Sequence, residues 1–348
     1  MKLLVEDIVL DGNAEHGGFK HAFKRYYPVI QLPTRPGVSL VLLHCLGTHK
    51  ETWEPVLERL FDLQAREHCK SFIADAWSMD CPNHGQAGVL NETLLLKKPQ
   101  GVGSDTYDWA RGLRVLLSSG LIRGEFIVGV GHSAGAAVLL ISTLGLSPQQ
   151  LPFSSFIFVE PALMTQYAKK QSSFGNSERH AIYQYLLRTC RTRMDVWESR
   201  EAALRWLSAR NPWNGWDPRI LRLFVTCALR DLPTALYPDT IEGVTLACTR
   251  EQEAVCYTYL QDGVDALERL AAVCASIPVH CILGDRIDFV PEDVRRATLD
   301  VRMGRTMASI HTISGAGHLV IQEKPDAVTD AMWAILAPLA RSGPASKL

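Results

Sequence analysis

The stretch that most constrains this chain is Gly131-His132-Ser133-Ala134-Gly135. Before it runs Phe126-Ile127-Val128-Gly129-Val130, an apolar segment with the length and character of a buried parallel strand. After it runs Ala136-Ala137-Val138-Leu139-Leu140-Ile141, which reads as the start of a buried helix. A strand that becomes a helix within five residues leaves little room for side chains, and residues 131, 134 and 135 are small. G-x-S-x-G in this setting is a nucleophile elbow, in which the serine sits on a strained turn with its hydroxyl presented. The whole run from Phe126 to Leu146 is apolar enough to resemble a membrane span, but its glycines, His132 and Ser133 fit a buried strand, turn and helix better.

The rest of the chain repeats that alternation. Leu3–Leu10 and His21–Ile30 read as a hairpin, Val38–Leu43 and Ser71–Met79 as strands, Ser154–Val159 as a buried strand closed by Glu160-Pro161. Thr52 is placed to cap a helix over Trp53–Arg66, and Ser104–Leu121 is amphipathic and helical. From Ala162 to Ala275 strand signals thin out and helical spacing dominates, with candidate helices at 181–190, 199–209, 218–228 and 262–275. The strand rhythm then resumes at Pro278–Gly284 and Ser309–Ile313, each followed by a helix, the last from Lys324 to about Leu339. Strands alternating with helices, interrupted once, predict a mostly parallel sheet flanked by helices. The expected division is a core of residues 1–161 and 276–348 and a helical cap of residues 162–275.

Charge and cysteine usage narrow the functional classes. A net charge of −1 without a basic tract argues against nucleic-acid binding. Nine scattered cysteines without a C-x-x-C pair argue against a complete disulfide framework and a zinc cluster, and for a reducing compartment. The N-terminal Met1-Lys2-Leu3-Leu4-Val5-Glu6-Asp7 carries charges where a signal peptide needs an apolar core. The chain ends in Ser346-Lys347-Leu348, the peroxisomal address read by an import receptor, which implies a eukaryotic source. Stable membrane insertion is not expected.

A nucleophilic serine needs a base. His318 stands in Gly315-Ala316-Gly317-His318, a glycine-flanked loop between the last strand and the last helix, where the chain order Ser, acid, His places the base. Two carboxylates compete as the acid. Glu160 ends the strand before the insertion, where a buried carboxylate requires a partner such as an imidazolium. Asp288 lies in Gly284-Asp285-Arg286-Ile287-Asp288-Phe289-Val290-Pro291, one residue away from the position that spacing from Gly284 and Pro291 assigns, which Ile287 occupies. Glu160 is preferred and Asp288 stays open. The oxyanion hole requires two N–H groups, expected from Leu46, in His44-Cys45-Leu46-Gly47, and from Ala134. Cys45 reads as a small packing residue, because no base stands beside it in sequence. His44, Trp197, Trp213 and Trp216 are candidate substrate contacts, the tryptophans as lining of an apolar pocket.

These stretches together resemble the α/β-hydrolases over nearly the whole chain, and more narrowly the fungal peroxisomal lipases and toxin-biosynthesis hydrolases. The resemblance is carried by His44–Pro55, by Asp80-Cys81-Pro82-Asn83-His84-Gly85 with Asn91-Glu92, and by Gly129–Ser133. In the insertion it is carried by Trp197–Ala202, Trp216–Arg219 and Gly243–Cys248. It implies the α/β-hydrolase fold and supports Glu160, because such relatives often place the acid after the earlier strand. The implied activity is serine hydrolysis of an apolar ester, lipid or lactone, without cofactor or metal. Two alternatives share the motifs: a lactone-forming cyclase like vibralactone cyclase, in which an internal nucleophile captures the acyl-enzyme, and a non-catalytic ligand-binding protein of this fold.

Overall fold

The computed structural model describes residues 3–13, 17–29, 37–66, 73–99, 101–173 and 178–342. Ser346, Lys347 and Leu348 lie outside the described residues, as do the ends of the expected strands at Ile30 and Ser71. Eight strands form the main sheet: β1 (Leu3–Asp11), β2 (Lys20–Pro28), β3 (Val38–Leu43), β4 (Ile73–Met79), β5 (Phe126–His132), β6 (Ser155–Val159), β10 (Val279–Gly284) and β11 (Ser309–Ile313). Their order is β1-β2-β4-β3-β5-β6-β10-β11. The β1–β2 and β2–β4 pairs are antiparallel and the remaining pairs parallel.

Parallel strands run as continuous apolar segments because both faces are covered. Every residue of β3 and of β6 is buried. One face packs Leu40, Leu42 and Val128 against the helices Glu54–Arg66 and Pro325–Ser342 through Leu57, Leu60 and Leu336. The other packs Val41, Leu43 and Phe156 against Thr106–Ser118 and Ala134–Ser142. Thr106–Ser118 begins with a reciprocal capping box of Asp105 and Asp108. Thr52 does not cap the first helix; it lies within a 3₁₀ turn, Lys50–Trp53, that leads into it.

The segment after β6 is mainly helical, but it also contains a small antiparallel sheet. Its strands are β7 (Val196–Trp197), β8 (Leu229–Asp231) and β9 (Val244–Leu246), in the order β7-β9-β8. Strands of two or three residues are too short to leave a periodic signal. The helix Leu260–Cys274, expected with the insertion, puts Leu267, Leu270 and Val273 into the apolar cluster on the main sheet. Arg269 in that helix donates to the Leu146 carbonyl at 2.8 Å and to Thr143 Oγ1 at 3.0 Å.

Candidate active site

The elbow is set by close backbone approach. A Cβ on Gly131 would lie 2.5 Å from the Ala136 nitrogen, and one on Gly135 2.5 Å from the Leu43 carbonyl oxygen. Ser133 takes φ 57° and ψ −117°, and its N–H donates to the Val159 carbonyl at 3.0 Å. Ser133 thus stands at the carboxyl end of the sheet and at the N-terminus of the helix Ala134–Ser142.

A second strained turn lies beside it. Glu160, the residue after β6, has φ 44°. Ser133 and Glu160 are the two non-glycine residues with positive φ among the described residues. Each costs on the order of 1–3 kcal/mol and persists only where surrounding structure imposes it. The Glu160 N–H donates to Ile282 at 2.9 Å, which continues the ladder to β10 and fixes where the carboxylate emerges.

His318 joins the two. Its Nε2 is 2.9 Å from Ser133 Oγ and its Nδ1 is 3.4 Å from Glu160 Oε2. Glu160 is 1 % exposed, and its other oxygen accepts from the Gly284 N–H at 2.7 Å and Arg295 Nη2 at 2.8 Å. The buried carboxylate is therefore compensated on one side and faces the imidazole with the other. The Nδ1 contact is long for a hydrogen bond; its direction puts the ring proton on Nδ1 and leaves Nε2 to accept from the serine.

Asp288, the alternative acid, reaches the same histidine elsewhere. Its Oδ1 accepts from the backbone N–H of His318 at 2.9 Å and of Phe289 at 2.6 Å, and its Oδ2 from Arg286 Nε at 3.3 Å. It holds the loop and not the ring. Gly317 is required for this, since a Cβ there would lie 1.8 Å from Asp288 Oδ2. The other side of the loop is held by His132, whose Nε2–H donates to the His318 carbonyl at 2.8 Å. Burial, with His318 beside it, pushes the His132 imidazole down to about 3, so it acts as a neutral donor. Inspection of the motif did not single out His132, because the middle position of G-x-S-x-G accepts many residues.

The loop after β3 is locked by its neighbours. His44 Nε2 accepts from the Cys81 N–H at 3.0 Å, which leaves the proton on Nδ1, and Nδ1–H donates to the Cys45 carbonyl at 2.7 Å. Thr48 Oγ1 donates to the same carbonyl at 2.8 Å. In a trans peptide the N–H points opposite to the C=O. Two donors on the Cys45 carbonyl thus fix the direction of the Leu46 N–H. The Gly47 N–H, by contrast, is occupied by His84 Nε2 at 3.0 Å. No protein acceptor takes the N–H of Leu46 or Ala134 among the described residues.

The expected substrate contacts are placed otherwise. His44 is 1 % exposed and both ring nitrogens are used by the backbone, so it orients the loop. Burial holds it well below the ordinary histidine range, hence neutral. The tryptophans form a row, Trp197–Trp206–Trp213–Trp216–Phe224, with ring centroids 5.8, 6.0, 6.5 and 5.5 Å apart. They build the apolar core of the inserted segment with Leu207, Ile220 and Val244. That core reaches the site through Leu319, next to His318, which packs against it. The Asp217 N–H adds a bond to the Gln322 carbonyl at 2.7 Å. Cys45 is buried and its thiol is pushed up to about 11 by burial, consistent with a packing role.

Among the described residues, one group of side chains has metal-ligand character: His49, Glu51 and Cys227, with donor atoms within 4.8 Å of one another. Glu51 is already paired with Lys50 at 2.9 Å and Lys24 at 3.6 Å, so two ammonium groups compete there with any cation.

The sequence pattern of the alpha/beta hydrolase family matches residues 40–331. A type I acyl-CoA thioesterase of Penicillium roqueforti is 30% identical over 225 residues, covering 64% of this chain and 46% of the relative. One from Penicillium brevicompactum is 30% identical over 220 residues, covering 62% and 46%. The chain thus spans about half the length of the curated relatives it matches. The peroxisomal alpha-beta-hydrolase Lpx1 of Saccharomyces cerevisiae superposes with a TM-score of 0.74 at 19% identity, covering 99% of this chain and 91% of that one. A thioesterase domain from the curacin biosynthetic pathway superposes with a TM-score of 0.63 at 13% identity, covering 96% and 99%. No helix among the described residues is long and apolar enough to cross a membrane.

Proposed function

The chain belongs to the alpha/beta hydrolase family, and from that premise we propose that it cleaves carboxylic esters or thioesters of an apolar acyl group through an acyl-enzyme on Ser133. The observation that carries this reading is the line Ser133 Oγ–His318 Nε2–Nδ1–Glu160 Oε2, at 2.9 and 3.4 Å, with its two ends on the strained turns of β5 and β6. Ser133 Oγ attacks the acyl carbon while His318 Nε2 takes its proton. Glu160 stabilises the imidazolium and keeps its orientation. The negative charge on the former carbonyl oxygen is met by the N–H groups of Leu46 and Ala134. Collapse expels the alcohol or thiol, protonated by His318, and water then attacks the acyl-enzyme with His318 again as base.

The thioester half of this reading draws on the Penicillium relatives, whose names give an acyl-CoA thioesterase activity. A peroxisomal setting is part of the proposal, supported by Ser346-Lys347-Leu348 as an address for the import receptor and by the likeness to Lpx1. The test is turnover of matched p-nitrophenyl esters and acyl-CoA thioesters of rising chain length, with Ser133→Ala as control. Steady hydrolysis that vanishes in the variant, with free acid as product, is expected. No turnover of either series, or equal turnover by Ser133→Ala, would overturn the reading. A product lacking the elements of water would identify an internal nucleophile as the acceptor.

A further inference from the structure

The described residues contain a cavity of about 600 Å³ that none of Ser133, His318, Glu160, Leu46 and Ala134 lines. It lies between residues 83–99 and 101–102, a stretch that includes the helices Gly85–Leu90 and Glu92–Leu96, and the inserted segments 191–195, 230–237 and 245–255. Cavities of this size, at a junction between two parts of a fold, are where small molecules bind. Its floor is apolar, with Leu95, Leu246 and Val255. Its wall carries four cations, Lys98, Arg191, Arg230 and Arg250, against three carboxylates, Glu92, Asp195 and Glu251.

Two of the guanidinium groups are held in place, and Arg230 keeps donors in reserve. Arg230 gives Nη1 to Glu92 Oε1 at 2.9 Å. Arg250 gives Nη1 to the Arg193 carbonyl at 2.9 Å and sets Nε 3.0 Å from Asp195 Oδ2. The Nη2 of Arg230 has no protein acceptor among the described residues, and the Arg250 guanidinium also reaches the Tyr237 hydroxyl, which lines the same cavity. An arginine whose rotamer is already fixed loses little freedom on binding, and its planar donors match a carboxylate or phosphate. The apolar floor asks for a hydrocarbon body behind that headgroup.

We propose that this cavity binds an amphipathic organic anion, with an oxyanion headgroup on Arg230 and Arg250 and an apolar body on Leu95, Leu246 and Val255. It goes beyond the serine reading and does not depend on it. Two sources share this chemistry: an aliphatic carboxylate and a phosphorylated acyl carrier. Calorimetric titration of the full-length Ser133→Ala protein with decanoate, and separately with coenzyme A, distinguishes them. One of the two binds in the micromolar range, and the Arg230→Gln/Arg250→Gln protein binds it at least tenfold more weakly. The same double variant keeps the circular-dichroism spectrum and melting temperature of its parent, which shows an undisturbed fold. Val102→Trp, at a 41 % exposed lining position, fills the cavity by bulk and gives the same loss without touching a charge. Absence of binding by both probes, or an affinity in the arginine or tryptophan variant equal to that of the Ser133→Ala parent, overturns the proposal. Because no step requires turnover, its failure is separate from failure of the esterase reading.

Discussion

The ends of β5 and β6 and the inserted segment differ in how their functional residues are held. Ser133 and Glu160 follow neighbouring parallel strands, and backbone bonds to Val159 and Ile282 fix both before any side chain is considered. Their positive φ angles are imposed by the sheet. The inserted segment has three strands of two or three residues and depends on a row of aromatic side chains for its shape. Position near the sheet is thus determined by backbone geometry, and position in the insertion by side-chain packing. Substitutions near the sheet should change rate with little effect on folding, and substitutions in the aromatic row should do the reverse.

The largest effect expected on this basis is His318→Ala, which removes the proposed base but leaves Asp288 with the same backbone N–H: a loss of about 10⁴-fold in kcat, with an unchanged melting temperature within about 2 °C. A large loss of stability in this variant would show that the site is not held by backbone alone. Trp216→Ala, at 8 % exposure in the aromatic row, should cost about 3–5 kcal/mol in urea unfolding while the protein that stays folded keeps kcat within about threefold. A large fall in kcat with unchanged unfolding would make this ring a substrate contact.

His44→Phe sharpens the comparison, because His44 acts on the oxyanion loop through the Cys45 carbonyl. Loss of that bond should lower kcat about 10²-fold with KM nearly unchanged, and His44→Gln, which can still donate, should recover part of it. The smallest effect concerns pH. Burial pushes His132 down to about 3 and His84 down to about 4. Below the unfolded value of about 6.5 the unfolded chain binds protons that these folded imidazoles refuse. Stability therefore falls with pH, by up to about 1.4 kcal/mol per unit for each ring. Asp262, raised to about 6 by burial, opposes this between about pH 6 and 4. The urea midpoint should be lower at pH 5 than at pH 7; an equal or higher midpoint at pH 5 would contradict buried imidazoles that stay neutral in the folded protein.

The same division explains what could be read from the sequence. Strand β3 occupies the residues that its apolar run indicates, β11 spans the expected Ser309–Ile313, and the elbow follows from small residues at fixed spacing. Glu160 was accessible because a carboxylate at a buried strand end requires a partner; the structure supplies both Arg295 and His318. Asp288 fits the usual spacing nearly as well, and only the path of the 284–291 loop turns its carboxylate to the backbone of His318. The tryptophans were legible as apolar residues but not as lining or core, since that depends on which faces meet. The 600 Å³ cavity was not legible, because its two halves, ending at Val102 and beginning at Arg191, are far apart in sequence.

The central claim is that Glu160, on its strained turn, is the acid behind His318, and that Asp288 holds only the loop. The most direct measurement is kcat/KM of Glu160→Gln and Asp288→Asn on one ester substrate, with both proteins shown to be folded. A loss of about 10³- to 10⁴-fold for Glu160→Gln and no more than about tenfold for Asp288→Asn is expected. The reverse ranking would contradict the account and move the acid to Asp288.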